Sequence, residues 1–160
     1  MFLAVRDLEI RPLAIEQTFA RGEITLEDVN LEWIGPLHLQ GKAQWTGAGI
    51  RLQAHLAGQI APLCARCLEP VPIELDRDLD LLYRPAEAMP SEAEVPLGSA
   101  EAEVAFFRGA GLDLADLIRE QVLLALPMRT LCSDDCRGLC PGCSANLNRE
   151  ACRCPGHTQV

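Results

Sequence analysis

The chain has 160 residues, 49% of them hydrophobic, and carries a formal charge of −9. That is enough apolar material for one ordinary core without covalent staples, and too acidic a balance for a surface that contacts phosphate throughout. No stretch reaches the roughly 18 apolar residues of a membrane span, and Met1 to Asp7 lacks the basic head, apolar run and small-residue cleavage site of a secretory signal.

A soluble protein of the reducing cytoplasm is therefore expected, with Val122 to Leu126 as the densest apolar run. Residues 1–33 show no decisive period, and Thr25-Leu-Glu-Asp28 suits a helical turn as well as a strand. From Leu37 the period becomes two. Leu37, Leu39, Gly41, Ala43 and Trp45 alternate with His38, Gln40, Lys42 and Gln44. Thr46 to Gly49 reads as a turn, after which Ile50, Leu52, Ala54, Leu56, Gly58 and Ile60 alternate with polar residues, predicting a hairpin. A third run places Val71, Ile73, Leu75, Leu79, Leu81 and Tyr83 on one side and Glu74, Asp76, Asp78 and Asp80 on the other, broken on the apolar side by Arg77. Three such strands make a meander with one buried face. Cys64-Ala-Arg-Cys67 falls between the second and third runs, where a hairpin tip can present both sulfurs to one metal.

Residues 84–103 carry Pro85, Pro90 and Pro96 among glutamates and read as an acidic linker. Val104 to Phe107 predicts a short strand. Asp113 is a favoured helix N-cap, Asp116 complements the dipole, and Leu114, Leu117, Ile118, Val122 and Ala125 form an apolar stripe that Pro127 ends. The division expected is a β-rich body over 1–83, the linker over 84–103, a strand and helix packing on the body over 104–127, and a cysteine-rich module over 128–160.

Six of the eight cysteines, Cys132, Cys136, Cys140, Cys143, Cys152 and Cys154, lie in that module. Eight thiolates suit two four-sulfur zinc sites, whereas disulfides need an oxidising compartment. Joining Cys140 and Cys143 to Cys152 and Cys154 closes the smaller ring, the cheaper arrangement in chain entropy. Cys132 and Cys136 then join Cys64 and Cys67, clamping the helix end to the hairpin tip. The rival pairing unites the two C-x-x-C units, 64/67 with 140/143, as in a zinc ribbon. Strain in Cys152-Arg-Cys154 would leave one sulfur spare, with His157 as a substitute ligand.

The segment LPMRTLCSDDCRGLCPGCSANLNREACRC, from Leu126 to Cys154, resembles the C-terminal signature of the YceD family of bacterial and plastid proteins. IGPLHLQGKAQW and LCARCLEPVPIEL upstream resemble its strand region and first cysteine pair. The resemblance covers nearly the whole chain, and departs in placing Ser144 where the family has glycine after the second cysteine of the knuckle. It implies a role in accumulation of large-subunit ribosomal RNA and hence in ribosome assembly. It implies no enzymatic activity.

Closed four-thiolate sites leave no position for a catalytic water, so a structural role is expected for the metal. A redox C-x-x-C is the rival, with Arg66 placed to lower the Cys67 pKa. His38 and His55 lie on polar strand faces without a carboxylate or serine at matching spacing and read as surface residues. The row Glu74, Asp76, Asp78, Asp80 reads as a solvated face rather than a magnesium site, and Asn146 and Asn148 as turn residues. From Arg129 onward four arginines (129, 137, 149 and 153) face Asp134, Asp135 and Glu150, a net of +1 against −10 for the rest. Arg137, Arg149 and Arg153 are therefore candidate phosphate contacts, a weak signal without aromatic residues for base stacking. The expectation is an α+β protein: an antiparallel β-rich body, one amphipathic helix and a C-terminal zinc tail holding two Zn2+ ions. It would act without catalysis on ribosomal RNA or a pre-ribosomal particle, a basic ribosomal or assembly protein being a further possible partner, with no membrane and no small-molecule substrate. A redox-responsive zinc-thiolate protein is the alternative.

Overall fold

The computed structural model describes residues 1–24, 26, 31–88, 104–152 and 154. In chain order the elements are β1 (Phe2–Ala4), α1 (Val5–Ile10), β2 (Leu13–Phe19), β3 (Leu31–Trp45), β4 (Ile50–Pro62), β5 (Ile73–Pro85), a 3-10 turn (Ala86–Ala88), β6 (Val104–Phe107), β7 (Gly111–Asp113) and α2 (Leu114–Ala125). The three alternating runs become β3, β4 and β5, the antiparallel centre of a sheet ordered β2-β3-β4-β5-β6.

Two-residue periodicity makes one face of this sheet apolar. Ile15, Leu37, Leu39, Leu52, Leu56 and Ile60 are almost fully buried on it, joined by Leu75, Leu79 and Tyr83. Leu114, Leu117, Ile118 and Val122 of α2 belong to the same core, as do Leu8 of α1 and Leu3 of β1. Each such side chain contributes about 1.5–3 kcal/mol on burial. The sheet face opposite stays wet, with Gln40, Lys42, Arg51, His55, Asp76, Asp78 and Asp80 all exposed.

The α2 cap follows from its sequence. The Asp113 side chain accepts from the Ala115 N–H at 2.7 Å, and Leu126, extended ahead of Pro127, ends the helix. At the packed face, the Tyr83 hydroxyl donates to Glu120 Oε2 at 3.0 Å, fastening α2 to β5.

Four features differ from the sequence reading. The sheet is mixed rather than wholly antiparallel, because β6 runs parallel to β5, Leu82 to Pro85 pairing with Val104 to Phe107. A second helix is present: α1, whose 6 residues are too short to display a period. Residues 13–19 form a full edge strand on β3, from Leu13 opposite Ala43 to Phe19 opposite Leu37. Finally, β3 begins at Leu31 rather than Leu37, since a register shift between Ile34 and Leu37 accommodates Pro36, which has no N–H for the ladder. The small sheet of β1 and β7 ties the N-terminus to the start of α2, with Ala4 opposite Gly111. The proposed turn at 25–28 and all of 89–103 lie outside the described residues, while 84–88 are the end of β5 and the 3-10 turn. Among the described residues no helix is long and apolar enough to cross a membrane.

Candidate metal centre

Between β4 and β5 the chain turns through Cys64-Ala-Arg-Cys67. The Cys64 N–H donates to the Glu69 carbonyl at 2.8 Å and the Leu68 N–H to the Cys64 carbonyl at 3.0 Å. This tight knuckle requires Leu68 to adopt φ +59°, and an isolated bridge from Leu63 to Pro70 closes it. The same device recurs in the tail. At Cys140-Pro-Gly-Cys143, the Cys140 N–H donates to the Ala145 carbonyl and the Ser144 N–H to the Cys140 carbonyl, each at 2.8 Å. Ser144 takes φ +57°, and Leu139 bridges Asn146. The serine that departs from the family's glycine thus occupies the one left-handed position in its knuckle.

Each knuckle receives two further sulfurs. Cys64 and Cys67 gather with Cys132 and Cys136, and Cys140 and Cys143 with Cys152 and Cys154, the sulfurs of each group lying within 4.8 Å of one another. This is the local pairing rather than the ribbon-like one, and both members of Cys152-Arg-Cys154 take part. Cys64 and Cys136 sulfurs are 3.8 Å apart and those of Cys67 and Cys132 3.6 Å. In the second group Cys140 lies 3.2 Å from Cys152 and 3.9 Å from Cys154, and Cys143 is 3.9 Å from Cys152. A disulfide would hold two sulfurs at about 2.05 Å. Around one tetrahedral ion, metal–sulfur bonds of about 2.3 Å give edges of about 3.8 Å. The clusters have the dimensions of the second arrangement.

Electrostatics point the same way. Burial opposes ionisation of Cys64, but backbone N–H groups of Cys67, Arg66 and Cys132 hold its thiol down to about 6. Cys140 is held at about 6 by hydrogen bonding with the Cys152 thiol and by the Gly142 and Cys143 N–H groups. Cys132 is pushed up to about 12, chiefly by Cys136 and Cys67, and Cys154 to about 12 by Cys143 and Cys152. Negative charge on the first sulfur resists ionisation of its neighbours, and a divalent cation is what makes four adjacent thiolates compatible. The donor sets therefore fit a metal ion, and they differ in shielding: Cys64, Cys67 and Cys136 are buried, whereas of the second set only Cys140 is.

Arg66, which the rival redox reading placed to lower the Cys67 pKa, is engaged elsewhere. Its guanidinium donates to the carbonyls of Asp134 and Cys136, at 3.2 and 2.8 Å, lacing the knuckle to the tail, and burial raises the Cys67 thiol. Gly138 (φ +76°) passes so close that a Cβ there would stand 2.9 Å from the Arg66 carbonyl oxygen. Asn146 and Asn148 are turn residues, the Asn148 N–H donating to Asn146 Oδ1 at 3.0 Å. Asn148 also reaches a cluster sulfur, a contact with no signature in the sequence. Of the candidate phosphate contacts, Arg137 is exposed and Arg149 pairs with Glu69 at 2.8 Å. Arg153 and His157 lie outside the described residues.

Both strand histidines are exposed, as read from the sequence, but one has partners that the sequence reading missed. His55 does face carboxylates, supplied by the neighbouring strand: Asp78 Oδ1 at 2.9 Å and Asp76 Oδ1 at 3.7 Å. Residue spacing along one strand cannot reveal a partner across the ladder. The rest of the acidic row is engaged likewise, Arg51 gripping Asp80 through two bonds of 2.8 Å and Gln59 donating to Glu74 at 2.8 Å. His38, also exposed, shares a hydrogen bond of 3.0 Å with the Thr18 hydroxyl.

Comparison with known proteins gives mycobacterial relatives, among them the three that follow. Uncharacterized proteins of Mycobacterium bovis and Mycobacterium tuberculosis are each 30% identical over 134 residues, covering 84% of this chain and 60% of the relative. One from Mycobacterium leprae is 27% identical over 146 residues, covering 91% of this chain and 63% of the relative. The chain thus spans about 60% of the length of the curated relatives it matches. No solved structure matches it. The family model described as large ribosomal RNA subunit accumulation protein YceD matches residues 52–159, a span that takes in both knuckles and every sulfur of both clusters. That match extends over more than half of the chain, which therefore belongs to the YceD family.

Proposed function

We propose that the chain is a non-enzymatic factor for large-subunit ribosomal RNA accumulation, acting by binding within ribosome assembly and held in shape by two structural zinc ions. Family membership suggests the role in large-subunit RNA accumulation, and the match over 52–159 is the observation that carries the reading. The sulfur clusters support the metal half of it. Thiolate donors select soft or borderline ions, and four sulfurs at single-ion spacing close the coordination sphere, as in structural zinc sites. Such a site holds the tail on the hairpin tip and leaves no vertex for a reacting water.

The wet face of the sheet supports a protein partner better than a phosphate one. Asp76 and Asp78 side chains are 78% and 95% exposed, and they would repel an RNA backbone while attracting a basic ribosomal or assembly protein. In this proposal the sheet face binds such a protein and the tail, with Arg137, approaches RNA.

Depletion in cells tests the role. Large-subunit RNA should fall relative to small-subunit RNA, wild-type chain should restore it, and a Cys67→Ser, Cys136→Ser chain should not. Unchanged RNA ratios on depletion would overturn the assignment. Reversing charge at Asp76 and Asp78 should weaken a salt-sensitive association with a basic protein, and unaltered co-purification would remove that partner. The redox reading draws on the exposure of Cys132 and Cys143. It requires mild peroxide to release metal and abolish binding together, whereas structural sites keep their metal.

A further inference from the structure

Asn148 reaches from the loop of one cluster to a ligand of the other. It lies between Cys143 and Cys152, inside the ring that the second cluster closes. Its Nδ2 donates to the Cys136 sulfur of the first cluster at 3.2 Å. At the other end of the same amide, Oδ1 accepts the Arg137 N–H at 2.8 Å. The backbone donor fixes which end carries oxygen, so the side chain presents N–H to sulfur. The loop around it is fixed by three further bonds, one within the tail and two to Glu69 beside the first knuckle. Leu147 N–H donates to the Gly138 carbonyl at 2.9 Å, Asn146 Nδ2 to Glu69 Oε1 at 3.3 Å, and Arg149 to Glu69 Oε2 at 2.8 Å.

A four-thiolate site around a divalent ion keeps surplus negative charge on sulfur, and an N–H···S bond draws off part of it. Groups in that outer position are worth about 10- to 100-fold in metal affinity. The donor here is ordered by a loop whose two ends, Cys143 and Cys152, are ligands of the second cluster. With those sulfurs unlinked, the loop must be ordered at full entropic cost before Asn148 can serve Cys136.

We infer that Asn148 is a positioning residue that couples the two metal sites, so that loading the second cluster tightens binding at the first. The inference rests on the metal-thiolate reading proposed above. By linkage the same factor acts in reverse, a loaded first cluster tightening the second.

The test uses Co2+ as the probe, with its thiolate charge-transfer band as readout and a competing chelator to set free metal. Five chains are compared: wild type, Asn148→Ala, Asn148→Asp, a Cys143→Ser, Cys154→Ser chain lacking the second site, and the combination of Asn148→Ala with that chain. Disabling the second site should lower Co2+ affinity at the first by about 10- to 100-fold. Asn148→Ala alone should do the same, and the combination should be no worse than either. Loss of the N–H···S bond should also move the first-site band to lower energy, because the freed sulfur gives up charge more readily. Asn148→Asp separates coupling from loop folding, since it keeps the acceptor for Arg137 N–H and replaces the donor by a carboxylate oxygen. It should weaken the first site at least as much as the alanine variant. First-site affinity within twofold of wild type in the Asn148→Asp chain would overturn the inference, as would losses that multiply in the combined chain. Two filled but independent sites in wild type would defeat the coupling alone. A wild-type chain without any cobalt–thiolate band would defeat the metal reading and the coupling with it.

Discussion

At the level of single residues, cross-strand charge pairs and knuckle geometry make the sharpest claims. Hydrogen bonds from Arg51 and Gln53 hold the Asp80 carboxyl at about 2, below its ordinary 3.8. Its contribution to stability is therefore complete above about 3.8 and disappears as pH falls through about 2. The His55 pKa is raised above 6.5, first by its bond to Asp78, so its contribution is complete below 6.5 and fades as pH rises through the folded value. Carboxylate and imidazole titrations followed by NMR should give an Asp80 midpoint near 2 and a His55 midpoint above 6.5. Arg51→Gln should return Asp80 toward 3.8, and Asp78→Asn should lower His55. An Asp80 midpoint unmoved by Arg51→Gln would mean that the pair does not form in solution. Ser144 supports a different forecast. A non-glycine residue at positive φ pays about 1–2 kcal/mol, part of which glycine returns through unfolded-chain entropy. Ser144→Gly should therefore stabilise the metal-loaded chain by about 0.5–1 kcal/mol, read as a higher denaturant midpoint at unchanged slope. No gain would show that the knuckle relieves the strain at this φ of +57°.

Among the elements, those with many periods were legible in the sequence and those with few were not. β3, β4 and β5 each repeat their alternation often enough to declare themselves, and α2 combines a stripe, an N-cap and a terminating proline. β2 alternates too, but Gln17 stands in its apolar row and its partner starts beyond residue 30, so no hairpin signal accompanies it. Nothing local in the 4 residues of β6 can specify a parallel neighbour. Its direction follows from how the chain returns to the sheet edge. The helix that was legible can be tested by its two determinants. Asp113→Ala removes a cap and should cost about 1 kcal/mol. Ile118→Ala opens a cavity beneath a fully buried side chain and should cost about 2–5 kcal/mol. Equal losses from the two, measured by urea denaturation, would contradict the placement of Ile118 against the sheet.

Across the whole molecule, the cysteine pattern pointed to the grouping of the sulfurs that the structure shows, because ring size favours closing 140/143 with 152/154. What the pattern could not reveal is the lacing around the sulfurs. Arg66, Glu69 and Asn148 act through side-chain contacts 12–80 positions apart, and residue spacing carries no record of them. Under the proposed metal reading, this arrangement makes the sheet and the tail depend unequally on the ion. The sheet and α2 share an apolar core that contains no cluster sulfur. Where the tail beyond Pro127 meets the first knuckle there is a separate small group of buried residues, formed by Cys64, Cys67 and Cys136 with Val71, Leu131 and Leu139 packed against them. Burial of so little apolar surface falls far short of the entropy of ordering such a segment, and in the proposed metal-bound state the ion would supply the remainder. Removing metal with a strong chelator under reducing conditions should therefore release the tail and spare the sheet. In hydrogen exchange, amides of β3, β4 and β5 should keep their protection, while the N–H groups of Cys64, Ala65, Leu139, Cys140 and Leu147, paired across the knuckles and the tail, should lose theirs. A chain lacking only the second site should show an intermediate pattern, with Leu147 and Cys140 exposed first. Uniform loss along the whole chain would mean that the clusters hold the core together as well, and full protection of the tail after chelation would mean that sulfur and apolar packing suffice without the ion.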